Sequence, residues 1–223
     1  MARNLIVPLA AGDPAPDDSR HIADAKEWKV AETFRQFMEA LDLDMTDPNL
    51  SGTEWRVARA YRELLAGQYA CAEPVLRSFP NSEGYAEAVA LTDIPFHSLC
   101  AHHFLPFYGS AHLAYVPKER LVGLSKLARV VDFYARRPQL QERMTEQIAD
   151  LIEERLHPTG TIVVIEARHF CMEMRGVTKA GVTTTTSASR GVFEDDRSRR
   201  KFLARLGPRF RNFGSLLSST EEV

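Results

Sequence analysis

The run Ser98-Leu99-Cys100-Ala101-His102-His103-Phe104-Leu105-Pro106 holds a Cys-x-x-His pair with a second imidazole between its members, in a chain of 223 residues with three cysteines. Thiolate sulfur and imidazole nitrogen both suit zinc, and residues so spaced can reach one tetrahedral ion. Two ligands leave a site open, so further donors must come from elsewhere. His169-Phe170-Cys171 offers them, at the end of the apolar run Thr161 to Ala167. If that run is a strand, His169 and Cys171 share a face, because the side-chain period is two. The candidate metal site is therefore Cys100, His103 and Cys171, with His102 and His169 close by and without assigned roles. Three protein ligands and a free fourth position describe a catalytic zinc rather than a structural one. The competing readings are a chance Cys-x-x-His and, for Cys171, a buried apolar thiol.

The elements that must position these groups follow from periodicity. Residues 1 to 18 are rich in Ala, Pro and Asp and read as a loose arm. From Ser19, Ile22, Ala25, Trp28, Phe34, Phe37, Met38 and Leu41 recur at helical intervals until Pro48. A second helix spans Thr53 to Leu65 with Gly67 as its C-cap residue. Arg56 and Arg59 are neighbours on its polar face, where a solvated pair is the simplest reading. Residues 68 to 85 have no clear period and read as a connecting loop, with Cys71 a free thiol. Ala86 to His97 reads as a strand entering the metal motif, Pro106 and Gly109 as the turn out of it, and Gly109 to Val116 as an antiparallel partner in which Ala111, Leu113 and Tyr115 alternate with His112 and Ala114. Pro117 to Arg120 forms the next turn.

Ser125 reads as the N-cap of a helix that buries Leu127, Val130, Val131 and Tyr134. Lys126 and Arg129 share a face at its start, where amide donors and two cations form either an anion site or a solvated pair. Pro138 divides this helix from a second, Gln139 to Leu156, with Glu142 in the first turn, where carboxylates also serve the helix dipole. Thr161 to Ala167 and Val182 to Ser189 read as β-branched strands, with Arg175-Gly176 a turn between them. Asp195 to Leu206 is a basic amphipathic helix, followed by a tail. The order strand-strand-helix-helix-strand-strand sets both helices on one face of a four-stranded antiparallel sheet, an α+β fold. The expected organisation is an arm at 1–18, a helical segment at 19–67, a catalytic domain at 68–206 and a tail at 207–223.

Composition narrows the classes. The formal net charge of −2 gives no global case for nucleic-acid binding. No segment approaches the run of about 20 apolar residues that a membrane span needs. The N-terminal apolar patch is too short, and broken by Pro8, for a signal peptide. Three cysteines at unlike spacings argue against a disulfide framework and for reduced thiols in the cytoplasm.

The order SLCAHH, GLSKLARVVDFYARRPQLQERMTEQIA, ARHFCMEMRGV, TTTTSASRGVF resembles GTP cyclohydrolase I over residues 20 to 206, motif for motif between 86 and 193. The resemblance implies a T-fold, in which β-β-α-α-β-β subunits pair their sheets into a barrel, and a homodecamer of two pentamers with active sites at subunit interfaces. It implies zinc on Cys100, His103 and Cys171, and acid/base roles for His102 and His169. It sets Glu142 on the guanine ring with Gln141 beside it. Ser125, Lys126, Arg129 and Arg175, with Arg56 and Arg59, become a triphosphate clamp, which replaces the solvated readings above. The implied reaction is hydrolysis of GTP at C8 with formate release and rearrangement to 7,8-dihydroneopterin triphosphate, at the entry to folate or pterin synthesis.

Two positions depart from the family pattern: Ala101 where a Glu is usual, and Thr53-Glu54-Trp55-Arg56 where Thr-Pro-x-Arg is usual. The loop 68–85 is also divergent. Three alternatives follow: a specialised paralogue acting on a related purine nucleotide, a non-catalytic T-fold protein binding a purine or pterin, and a T-fold nitrile reductase with a nucleophilic Cys. Paired zinc cysteines and two histidines speak against the last.

Overall fold

The structure, a computed structural model, describes residues 24–70, 73–207 and 210. The chain divides into two compact units, residues 1–65 and 66–223. The expected arm at 1–18, the start of the first helix before Asp24, Cys71, and most of the expected tail lie outside the described residues.

The first unit is a helical hairpin of α1 (Ala25–Ala40) and α2 (Thr53–Leu64). Asp24 caps α1, its carboxylate accepting from the amides of Lys26 and Glu27, which satisfies donors that a helix start leaves open. Arg62 of α2 reaches back to Glu27 at 2.9 Å and Asp24 at 3.2 Å. The apolar periodicity of α1 is only partly used inside the chain. Ala31 and Met38 are buried, whereas Trp28, Phe37 and Leu41 are exposed, because a helix packed on one partner buries a stripe narrower than its apolar face.

The second unit begins with α3 (Ala66–Tyr69), followed by β1 (Ser78–Pro80), β2 (Val89–Cys100), β3 (Pro106–Val116) and β4 (Arg120–Val122). Then come α4 (Leu124–Ala135), β5 (Pro138–Gln139), α5 (Gln141–Leu156), β6 (Gly160–His169), α6 (Phe170–Glu173), β7 (Thr184–Gly191) and α7 (Asp196–Arg205). The sheet runs β5-β2-β3-β6-β7, antiparallel except for the β2–β5 pair. The long elements β2, β3, α4, α5, β6 and β7 follow the expected T-fold order. The sheet gains a fifth strand because Pro138 and Gln139, between α4 and α5, run beside Leu99 and Cys100. A second small pair, β1 with β4, forms in segments expected to be loop and turn.

One face of the sheet packs on α4 and α5. Phe107, Leu113 and Tyr115 of β3 and Val163 and Ile165 of β6 meet Leu127 and Val131 of α4 and Met144, Ile148 and Ile152 of α5. The opposite face is covered too: Ala114, Ile162 and Val164 pack with Phe193, Phe202, Leu203 and Phe210. His112, which alternates with the residues facing α4 and α5, is covered by this layer. It is 1% exposed, with its ring edge-on to Phe210 at 5.4 Å.

Two glycines serve close backbone approach instead of turns. Gly67 lies inside α3, where a Cβ would fall 2.2 Å from the Phe133 carbonyl oxygen. Gly109 is inside β3, where a Cβ would stand 1.8 Å from the Glu166 oxygen of β6, a close approach that strand glycines permit. We expect Gly109→Ala to force these strands apart and to lower unfolding stability by about 1–3 kcal/mol. Denaturant melts check this; an unchanged midpoint would contradict it.

Candidate functional site

The candidate site is built at one end of the β3–β6 pair. Leu99 pairs with Pro106 across the end of the β2–β3 hairpin, and Phe107 pairs with His169. The turn leaving β2 and the turn leaving β6 are thereby brought side by side. The first is closed by the Phe104 amide donating to the Cys100 carbonyl at 2.8 Å and the Cys100 amide donating to the Leu105 carbonyl at 2.9 Å. The Ala101 amide donates to the Gln139 carbonyl of β5 at 2.9 Å, so the short fifth strand anchors this turn.

The second turn differs from the sequence expectation. β6 ends at His169, and Cys171 sits in the helical turn α6. Period-two alternation therefore does not apply to this pair. Arg168 and Glu173 bracket the turn with two parallel bonds of 2.7 Å, the forked geometry that guanidinium and carboxylate favour. Each charge holds the other ionised: Arg168 pushes the Glu173 carboxyl down, and Glu173 pushes the Arg168 guanidinium up. Neither residue was singled out from sequence, since an ion pair spanning a turn leaves no periodic trace.

The donor atoms of Cys100, His103 and Cys171 all lie within 4.8 Å of one another. Cys100 Sγ stands 3.6 Å from His103 Nδ1. A tetrahedral ion with metal–sulfur bonds of about 2.3 Å and metal–nitrogen bonds of about 2.0–2.1 Å separates those ligands by about 3.6 Å. The trio thus fits a divalent metal of zinc type in donor chemistry and spacing. Cys100 is buried and Cys171 half-buried. Burial, and secondarily the neighbouring Cys100, push the Cys171 thiol up, while the Arg175 charge pulls the other way.

His102 is exposed and meets His103 edge-on at 6.2 Å. His169 stacks on Phe107 at 4.6 Å, nearly parallel, and its Nε2 lies 2.8 Å from Gln141 Oε1. Burial lowers the His169 pKa, and the Glu142 charge partly offsets this. Glu142 is exposed in the first turn of α5. Gln141 is buried, its amide engaged with β6 and β7.

The cations divide into groups. Arg175 follows the Cys171 turn and is exposed. Lys126 and Arg129 lie in the first two turns of α4, whose N-cap is Gly123; Ser125 is one residue inside the helix and makes no capping bond. Among the described residues none of these three cations forms an ion pair. Arg56 and Arg59 lie on α2 of the first unit. Arg56 donates to the Ser51 and Asn49 carbonyls and to Thr53 Oγ1, tying the helix start to its loop.

The sequence profile of the GTP cyclohydrolase I family matches residues 30–207. The chain is 48% identical over 173 residues to the GTP cyclohydrolase 1 of Thermoanaerobacter pseudethanolicus, covering 77% of this chain and 92% of that one. It is 44% identical over 195 residues to the enzyme of the same name from Mycolicibacterium paratuberculosis, covering 86% and 95%. The Carboxydothermus hydrogenoformans GTP cyclohydrolase 1 is 52% identical over 167 residues, covering 74% and 86%.

Because the Cys171 thiol is raised, it carries its proton at neutral pH when no metal is bound, and binding must displace it. Metal affinity should weaken as pH falls, by up to about tenfold per pH unit for each proton displaced. Chelator competition between pH 8 and pH 6 checks this; a pH-independent affinity would contradict it.

Proposed function

The chain belongs to the GTP cyclohydrolase I family, and from that membership we infer that it hydrolyses GTP at C8, releases formate and returns 7,8-dihydroneopterin triphosphate. The observation that carries the reading is the convergence of Cys100, His103 and Cys171 within 4.8 Å beside a half-buried, hydrogen-bonded His169. Cys100, His103 and Cys171 are assigned to zinc. When bound, zinc supplies the Lewis acidity that makes water nucleophilic at neutral pH.

The chain's own groups do the rest. Opening the five-membered ring requires protons at purine nitrogens, and His169 and His102 are imidazoles that can deliver them. Phe107 and Gln141 hold His169 in place, so its other ring nitrogen works from a fixed position. Glu142 can accept two N–H bonds from the guanine edge, a pattern adenine does not offer. Ser125, Lys126, Arg129 and Arg175, joined by Arg56 and Arg59, are assigned to the triphosphate. Unpaired cations suit a ligand with that charge. For Arg56 this role requires exchanging the carbonyl bonds it makes now.

We further propose the family's homodecamer, with sites at subunit interfaces. The exposed Trp28, Phe37 and Leu41 of α1 support it, as does β7, which ends the sheet among the described residues with one edge unpaired. The thiolate ligands call for a reducing compartment, in keeping with the cytoplasm. Among the described residues no helix is long and apolar enough to cross a membrane. The product enters folate or pterin synthesis on this reading. Ala101 contributes no donor atom, so the metal trio does not depend on it. It replaces a carboxylate near the site, which is the feature that favours a paralogue using a related purine nucleotide.

The test is turnover of C8-labelled GTP by the zinc-loaded chain. Formate and a fluorescent pterin should appear in equal amounts, be abolished by a zinc chelator and return with zinc. Formate without pterin would indicate a paralogue that stops at the ring-opened product. No formate from zinc-loaded protein would overturn the reading.

A further inference from the structure

The resemblance sets Gln141 at the substrate, but its surroundings assign it elsewhere. Its side chain is 2% exposed. Its Nε2 lies 3.0 Å from the Ile165 carbonyl of β6, 3.0 Å from the Thr184 carbonyl of β7 and 3.2 Å from Thr186 Oγ1. Backbone carbonyls only accept, so the end of the amide facing them must be the NH2 group.

The hydroxyls around it agree. Thr145 Oγ1 donates to the Gln141 carbonyl at 2.8 Å, which uses its one proton. Thr186 Oγ1, 2.7 Å from Thr145 Oγ1, is then the donor in that pair and turns a lone pair toward Gln141 Nε2. Every group in the network has a partner of the right kind, and reversing the amide would set its oxygen against two carbonyls. The orientation of Gln141 therefore follows from chemistry.

With the NH2 group committed, Oε1 is what faces His169 Nε2 at 2.8 Å. That oxygen can only accept, so Nε2 must carry hydrogen. Phe107, stacked on the ring at 4.6 Å, blocks rotation out of this arrangement. We propose that Gln141 is a positioning residue for His169: it fixes hydrogen on Nε2 in the neutral ring, leaves Nδ1 as the nitrogen that faces the chemistry, and makes no side-chain contact with GTP. Among the described residues no hydrogen bond engages Nδ1. The role of His169 in turnover rests on the function proposed above, whereas the tautomer rests on the network alone.

The experiment has two arms on the zinc-loaded full chain. In the first, neutron diffraction of deuterium-exchanged crystals above neutral pH locates the ring hydrogen. Deuterium on His169 Nε2 pointing at Gln141 Oε1, with Nδ1 bare, is expected; deuterium on Nδ1 with Nε2 bare would overturn the proposal. In the second, Gln141→Met keeps the volume and removes the acceptor. We expect kcat for GTP to fall about 10- to 100-fold, as for loss of a group that orients a functional histidine, with KM changed less than about threefold. A large rise in KM at unchanged kcat would return Gln141 to substrate binding and overturn the proposal. The wild-type map needs neither a folded variant nor GTP turnover. If the map is as expected but GTP is not consumed, the function fails and the tautomer stands.

Discussion

The register of β3 against β6 is the constraint on which the site depends. Phe107 opposite His169, and Leu99 opposite Pro106, put the two chain turns that carry the candidate metal donors at one end of the sheet. A slip of one residue would move every side chain of a strand to the other face, taking His169 off Phe107 and away from α5. Apolar burial on both faces enforces the register. Phe107, Leu113, Val163 and Ile165 are committed to α4 and α5, and Ala114, Ile162 and Val164 to the layer around Phe202 and Leu203. Gly109 permits the close strand approach that this pairing needs. The core thus sets where the chemistry sits.

Around that frame, short polar contacts finish the geometry. The Gln139 carbonyl holds the turn after Cys100, and Arg168 with Glu173 holds the turn around Cys171. Gln141, at the first position of α5, joins the helix start to β6, β7 and His169 at once. Its neighbour Glu142 points outward. Two successive residues of one helical turn therefore divide the labour, one buried and structural in its bonding, the other exposed toward solvent.

Much of this was legible in the sequence. Long periodic segments gave α4, α5, β6 and β7 with small shifts at their ends, and thiol–imidazole spacing alone selected Cys100 and His103. Cys171 was selected for a reason that fails: it is not on a strand, and a helical turn brings its sulfur to the others. The two-residue β5 and three-residue β1 and β4 have no period to detect. Gly67 and Gly109 read as punctuation because close backbone approach leaves no local signal. The amide orientation of Gln141 was out of reach, since it depends on Ile165, Thr184 and Thr186, which only the fold assembles.

The central claim is that two cysteines and one histidine from two turns share one metal ion. Zinc X-ray absorption on the loaded protein tests it most directly. The account predicts a first shell of two sulfurs at about 2.3 Å and one imidazole nitrogen at about 2.0–2.1 Å, with one further light atom. A shell without sulfur, or with a single sulfur, would contradict it.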